Sequence, residues 1–262
     1  MPSSQPRLIT ITFSHYCEKA RWALEHRDIA FTEEAHLPAF HALPALFSSR
    51  QRLVPVLIAD GVAIPDSTAI LRWADAQRSA GPRLYPDAVA EEVLALEDRF
   101  DRDLGPASRR WAYGFILKER GLLMKLSEHG GPAWERRALP IVLPLARWIM
   151  RKSMRINDAG IARSKLKIAR VFDDVAALLS DGRRYLSGDQ LTAADITFAS
   201  LTAPALLPPA YGSPFPPIED LPPGPQAEIA AYRATPAGAF ALRIYAEERT
   251  SPNTPNTHQN GV

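Results

Sequence analysis

One cysteine in 262 residues excludes an internal disulfide framework and suits a reducing compartment. No uninterrupted apolar run reaches the roughly 18 residues that a membrane-spanning helix needs. No stretch near the start has the charged-then-apolar build of a secretory signal, so a cytoplasmic location is expected. Charge of one sign is also missing: bases and acids nearly cancel, the net charge is +2, and nucleic acid is not expected as a partner. No internal repeat and no metal site are evident. What is present is ordinary for a globular protein, with 46% hydrophobic and 23% charged residues, enough chain for one or two domains with a core each.

The chemistry begins at Phe13-Ser14-His15-Tyr16-Cys17-Glu18-Lys19-Ala20, directly after the β-prone run Leu8-Ile9-Thr10-Ile11-Thr12-Phe13. The pattern reads as a strand, a short polar turn and a helix whose first turn holds Ser14 and Cys17. A helix N-terminus carries free N–H groups and a partial positive charge, which favour a thiolate placed against it. Redox proteins use that position with Cys-x-x-Cys. Here Ser-His-Tyr-Cys puts a hydroxyl in the attacking position. A hydroxyl cannot run dithiol chemistry, but it can donate a hydrogen bond to a thiolate that a ligand brings in.

Downstream, Leu53-Val54-Pro55-Val56-Leu57-Ile58 is a β-branched run entered through a Val-Pro bond, and Ala59-Asp60-Gly61 marks a tight hairpin turn. Ala63-Ile64-Pro65-Asp66-Ser67-Thr68-Ala69-Ile70 leads into a helix capped by Asp66 or Ser67. The expected order is β-α-β-(loop)-β-β-α. Far along the chain, Thr192-Ala193-Ala194-Asp195 opens another helix with a capping box, Asp replacing the usual Glu. Leu191 and Ile196 stand where a hydrophobic staple needs them.

With these three motifs in this order, the chain resembles the cytosolic glutathione transferases over about residues 7–80 and 160–205. The resemblance implies an α/β thioredoxin-like N-terminal domain plus an all-α C-terminal helical domain. It also implies glutathione as co-substrate and a homodimer, with a small hydrophobic electrophile as the second substrate. Family members with Ser at the position of Ser14 use it to hold the glutathione thiolate. Plain capping of the first helix would want the same residue. Tyr16 is the rival donor. Cys17, about a turn into the helix, reads as a small buried residue, or as a reactive thiol if exposed.

By the same resemblance Pro55 is cis, turning the Val54 backbone groups toward the ligand's cysteinyl backbone. Ser67 would bind the γ-glutamyl carboxylate and Asp66 the α-amino group. Arg52 and His41 are candidates for the glycyl carboxylate. Trp111, Tyr113 and Phe115 are candidate walls of the electrophile pocket, although aromatics on a long helix often form core.

The expected domains are 1–80, led by a short polar segment and left through Ser79-Ala80-Gly81-Pro82, and 88–250, where Val93, Leu94, Leu96, Phe100 and Leu104 recur at helical spacing. A helix is expected over Asp158 to Leu179. The many prolines between Pro204 and Pro225 predict a rigid, non-helical excursion, with one helix from about Gln226 through Tyr245. The tail from Ser251 is expected to be disordered.

The average charge hides an asymmetry. Between Leu117 and Lys167 twelve bases face four acids, a net of +8, so the rest of the chain carries −6. This basic insertion, about 117–157, contains Ala138-Leu139-Pro140-Ile141-Val142-Leu143-Pro144-Leu145, an apolar run broken by two prolines and followed by a basic cluster. An extended helical insertion, with its apolar side packed on the second domain and its charges facing water, is the ordinary explanation. Docking on an anionic membrane, or covering the electrophile pocket, is the sharper one.

Three functions remain open at this level. The first is a glutathione transferase. The second is glutathione-dependent thiol exchange through Cys17. The third is a non-catalytic family member that binds ligands or membrane.

Overall fold

The computed structural model describes residues 5–77, 82–128 and 130–249. The expected tail from Ser251, most of the Ser79–Pro82 linker and the first four residues lie outside them.

The apolar run at the start becomes β1 (Arg7–Ile11), with Leu8 and Ile9 fully buried on opposite faces, as a central strand requires. β1 pairs in parallel with β2 (Thr32–His36) and antiparallel with β3 (Val56–Ala59), which pairs antiparallel with β4 (Val62–Pro65), giving the order β2-β1-β3-β4. The β3–β4 turn falls on Asp60 and Gly61, both at positive φ, the geometry of a two-residue hairpin. Helix α1 (His15–His26) covers one face together with α3 (Ser67–Ala76). Ala20 and Leu24 meet Leu8, Leu57, Ile70 and Ala74 there. On its other side α1 turns Trp22 and Ala23 into the helical unit, which explains why so few of its residues are exposed. This is a thioredoxin-like unit.

One element differs from the expected order. The loop before β3 holds a helix, α2 (Ala42–Ser49). Pro44 obscured it, yet a proline within the first turn removes only an N–H that has no helical partner.

The second unit is helical: α4 (Ala90–Arg99), a π-turn at Phe100–Leu104, α5 (Gly105–Ile116), α6 (Arg120–Glu128), α7 (Ala133–Ser153), α8 (Asp158–Leu178), α9 (Ala193–Leu206), α10 (Pro223–Arg233) and α11 (Pro236–Glu248). Helix α9 is its axis, buried along nearly its whole length. Asp195 locks its start, accepting from the Thr192 amide at 2.8 Å, the Thr192 hydroxyl at 2.7 Å and the Leu186 amide at 2.8 Å. Leu191 and Ile196 are buried in the same cluster, where the staple was expected.

The extended helical insertion expected here is present: α7 runs 21 residues through both Pro140 and Pro144. Each costs a backbone hydrogen bond, but Leu139 and Leu143 on the inner face are buried in a cluster with Leu37, Leu117, Leu123 and Ile156 that holds the helix. The helix expected from Gln226 is two helices, because Pro223 and Pro236 each sit in a first turn and start a helix.

Buried ion pairs join the two units. The Lys19 ammonium, fully buried, lies 2.7 Å from Asp101 and 2.9 Å from Glu97, and donates to the Thr68 hydroxyl. Arg249 at the end of α11 reaches Glu18 at 2.9 Å and also pairs with Glu25. At the far end of β2, Glu135 of α7 accepts from the Leu37 amide at 2.7 Å and lies 2.6 Å from His36 Nδ1.

Candidate functional site

A cavity of about 610 Å3 opens between the two units. From the α/β side it is lined by Phe13, Ser14, His15 and Tyr16 at the start of α1, by His41, and by Arg52, Leu53 and Val54 ahead of β3. The helical unit supplies Arg109, Tyr113, Phe115 and Ile116 of α5, and Ile149, Met150 and Ser153 of α7. Leu207, Phe215, Pro216 and Leu221, from the proline-rich segment, close the wall. Most of this surface is apolar.

Ser14 occupies the N-cap of α1 in extended conformation, its backbone held by the Ile11 carbonyl at 3.0 Å. Its hydroxyl makes no capping bond to a backbone amide and lies against the Cys17 thiol, and Ser14 lines the cavity at the helix terminus. Val54–Pro55 is cis. Val54 is in the lining, and Pro55 behind it accepts from the Asp66 amide at 3.2 Å. That bond places the start of α3 beside the cis peptide. Asp66, exposed and at positive φ, caps α3 by accepting from the Thr68 and Ala69 amides at 2.9 and 3.4 Å, and Ser67 is buried as its first residue. Neither Asp66 nor Ser67 lines the apolar cavity itself.

Arg52 is exposed at the rim. His41 lines the cavity beside it, and burial lowers the pKa of its imidazole, a shift that a hydrogen bond to the Leu37 backbone offsets only in part.

Tyr16 lines the cavity with its ring, but its hydroxyl leans on α5. It donates to the Asp101 carbonyl at 3.3 Å, and burial raises its pKa. A Cβ at Gly105 would sit 2.2 Å from that hydroxyl, so glycine is required for the ring to lie there. Cys17 is fully buried, with Sγ 3.4 Å from the Ile11 amide. Burial pushes its thiol up to about 11, and the Arg21 charge, the Ile11 amide and the Ser14 hydroxyl ease that only in part.

Tyr113 and Phe115 line the cavity, Tyr113 with its hydroxyl pushed up to about 12 by burial. Trp111 does not. It points into the helical core, 3% exposed, and donates to Glu228 at 2.7 Å. Residues 111 and 115 share a face of α5, and their rings meet edge-on with centres 5.2 Å apart, so Phe115 stands between the cavity and Trp111 in the core.

Two polar residues of the cavity went unnoticed in the sequence. His15 is buried with Nε2 3.1 Å from the Gly105 carbonyl, and burial, aided by Arg109, lowers its pKa to about 3, so it is neutral. Arg109 has its guanidinium 5.8 Å from the Tyr16 ring centre and no ion pair among the described residues. A signal existed: Arg109, Ala112, Tyr113 and Ile116 recur at helical spacing, and a base on an apolar stripe is unusual.

Residues 8–83 match the family model described as glutathione S-transferase, N-terminal domain. No curated protein sequence matches the chain. Among solved structures, a glutathione S-transferase from Methylobacterium radiotolerans in complex with glutathione sulfonate is 19% identical, with 99% of this chain and 100% of that one covered at a TM-score of 0.54. A glutathione transferase from Phanerochaete chrysosporium is 12% identical, with coverage of 95% and 98% and a TM-score of 0.62. A third, from Methylobacillus flagellatus with glutathione bound, is 16% identical, with coverage of 90% and 98% and a TM-score of 0.54.

Proposed function

We propose that this chain, whose N-terminal domain belongs to the glutathione S-transferase family, is itself a glutathione transferase, with the Ser14 hydroxyl holding the glutathione thiolate for attack on a small hydrophobic electrophile. The observation that carries the reading is the meeting of Ser14, at the N-terminus of α1, with Val54 of the cis Val54–Pro55 peptide on one cavity wall, opposite an apolar wall from α5 and α7. In this reading Val54 pairs with the cysteinyl backbone as an added strand would. Ser67 and the α3 N-terminus take the γ-glutamyl carboxylate, and Asp66 takes the α-amino group. His41 and Arg52 face the glycyl carboxylate. The electrophile lies against Tyr16, Tyr113 and Phe115.

The chemistry asked of Ser14 is modest. A free thiol titrates near 8.5, and each unit of lowering needs about 1.4 kcal/mol of preference for the anion. A hydrogen bond to a charged group contributes about 1.5–3 kcal/mol, and the helix terminus adds roughly 0.3–1 kcal/mol. Together they would make the bound thiol largely ionised at neutral pH. The Arg109 charge acts in the same direction.

Thiol exchange through Cys17 has little support, because a buried thiol titrating near 11 is a poor nucleophile. The test is the ultraviolet thiolate absorbance of bound glutathione, titrated with pH. The bound thiol should titrate well below its free value in the wild type and rise by about 1–2 units in Ser14→Ala. Binding with no Ser14-dependent shift would overturn the role given to Ser14, and absence of binding would overturn the transferase reading.

A further inference from the structure

Five of the ten large apolar side chains most exposed on the described residues sit on one helix, α7: Trp134, Ile141, Leu145, Trp148 and Ile149, each 49–81% exposed. At 100° per residue they fall within an arc of about 100°, a stripe roughly 22 Å long. The opposite face, with Glu135, Leu139, Leu143 and Ala146, is buried against the protein. The helix therefore has two apolar faces, and only one is covered.

Charge borders the uncovered face. Lys152 falls within the arc and Arg137 and Arg151 flank it, all exposed, with Arg155 just beyond the helix end. None of these four forms an ion pair among the described residues. The helix has a single acid, Glu135, and it is turned inward to His36 and Leu37. Beside Trp148, the side chains of Arg147, Arg151 and Lys152 line a groove of about 480 Å3. No described helix is long and apolar enough to cross a membrane.

We infer that this outer face of α7 docks on the surface of an anionic lipid bilayer, with Ile141, Leu145, Trp148 and Ile149 in the interface and Arg137, Arg151 and Lys152 on the headgroups. An apolar stripe with tryptophan near both ends and bases along its border is the pattern of a helix lying in the interfacial plane. A second copy of this chain fits the face less well, because a self-complementary contact would set base against base. The docking also orients the site. Ile149 belongs both to the stripe and to the cavity wall, and Met150 and Ser153 line the cavity beside it, so this wall of the cavity lies next to the lipid. A lipophilic electrophile could then pass from bilayer to cavity without crossing water. That last step rests on the transferase reading, whereas the docking does not.

The test uses the full-length protein without glutathione, co-sedimented with vesicles of phosphatidylcholine alone or mixed with phosphatidylglycerol, at low and high salt. Binding should be at least about tenfold tighter on the anionic vesicles and should weaken with salt. Trp148→Glu, which removes an anchor, and Arg151→Glu with Lys152→Glu, which reverses charge, should each reduce it by about tenfold or more. These side chains are exposed, and Trp148, Arg151 and Lys152 lie outside the cavity lining, so the melting temperature and any glutathione binding should stay as in the wild type. A wild type that ignores anionic vesicles, or variants that bind them like the wild type, would overturn the inference. So would a solution dimer that Ile141→Glu splits, because a second copy would then cover the face.

Discussion

Replacing Glu135 should show how α7 is held over the cavity. The carboxylate is completely buried, takes the Leu37 amide at 2.7 Å and lies 2.6 Å from His36 Nδ1, while His36 Nε2 lies 3.0 Å from Glu34. Glu135→Ala leaves a buried imidazole and an amide without their partner, a change that typically costs about 3–5 kcal/mol. Glu135→Gln keeps an acceptor for the Leu37 amide and loses the charge, for which about 1.5–3 kcal/mol is reasonable.

The two variants also differ from the wild type in pH dependence. Burial alone would lower the His36 pKa, but its hydrogen bonds to Glu135 and Glu34 outweigh that and raise it. A raised folded pKa means that the protonated pair contributes fully below the unfolded value, near 6.5, and that this contribution fades as pH rises through the folded value. The stability gap between wild type and Glu135→Gln, measured by urea denaturation, should therefore be largest near pH 6 and shrink on the alkaline side. Amide exchange should speed up first at Leu37 and along α7. A gap that widens with pH, or an unchanged Leu37 amide in Glu135→Ala, would refute this account of the clamp.

Other consequences can be checked more simply. Cys17, buried and titrating near 11, should resist a thiol reagent in the native protein at pH 8 and react stoichiometrically once the chain is unfolded in urea. Rapid native labelling would show that the first turn of α1 opens freely. Lys19→Met should destabilise by about 3–5 kcal/mol, because Glu97 and Asp101 remain with their shared cation gone. Adding Glu97→Gln and Asp101→Asn should recover much of that loss in the same denaturation assay. Failure to recover would mean that the Lys19 stem, not its charge, holds the units together.

The sequence by itself determined the thioredoxin-like unit and the start of α9. Those segments are governed by short-range rules: a β-branched run, Asp60-Gly61 in a turn that needs positive φ, Asp66 at a helix start, and Asp195 three residues after Thr192. Each acts within a few residues, so each is visible before folding. Proline is where local reading falls short. Pro44 lies in a first turn, where its missing N–H has no helical partner, and Pro140 and Pro144 lie inside α7, where the burial of Leu139 and Leu143 outweighs a lost hydrogen bond; burial is not a local property.

The cavity wall was decided only by tertiary structure. Whether Trp111, Tyr113 or Phe115 faces the cavity depends on which side of α5 the other helices cover, and Arg109 and Phe215 reach it from segments far from Ser14 in sequence. The basic, apolar character of α7 could be read from its composition. That its second apolar face stays uncovered could not, since it depends on everything that does not pack there.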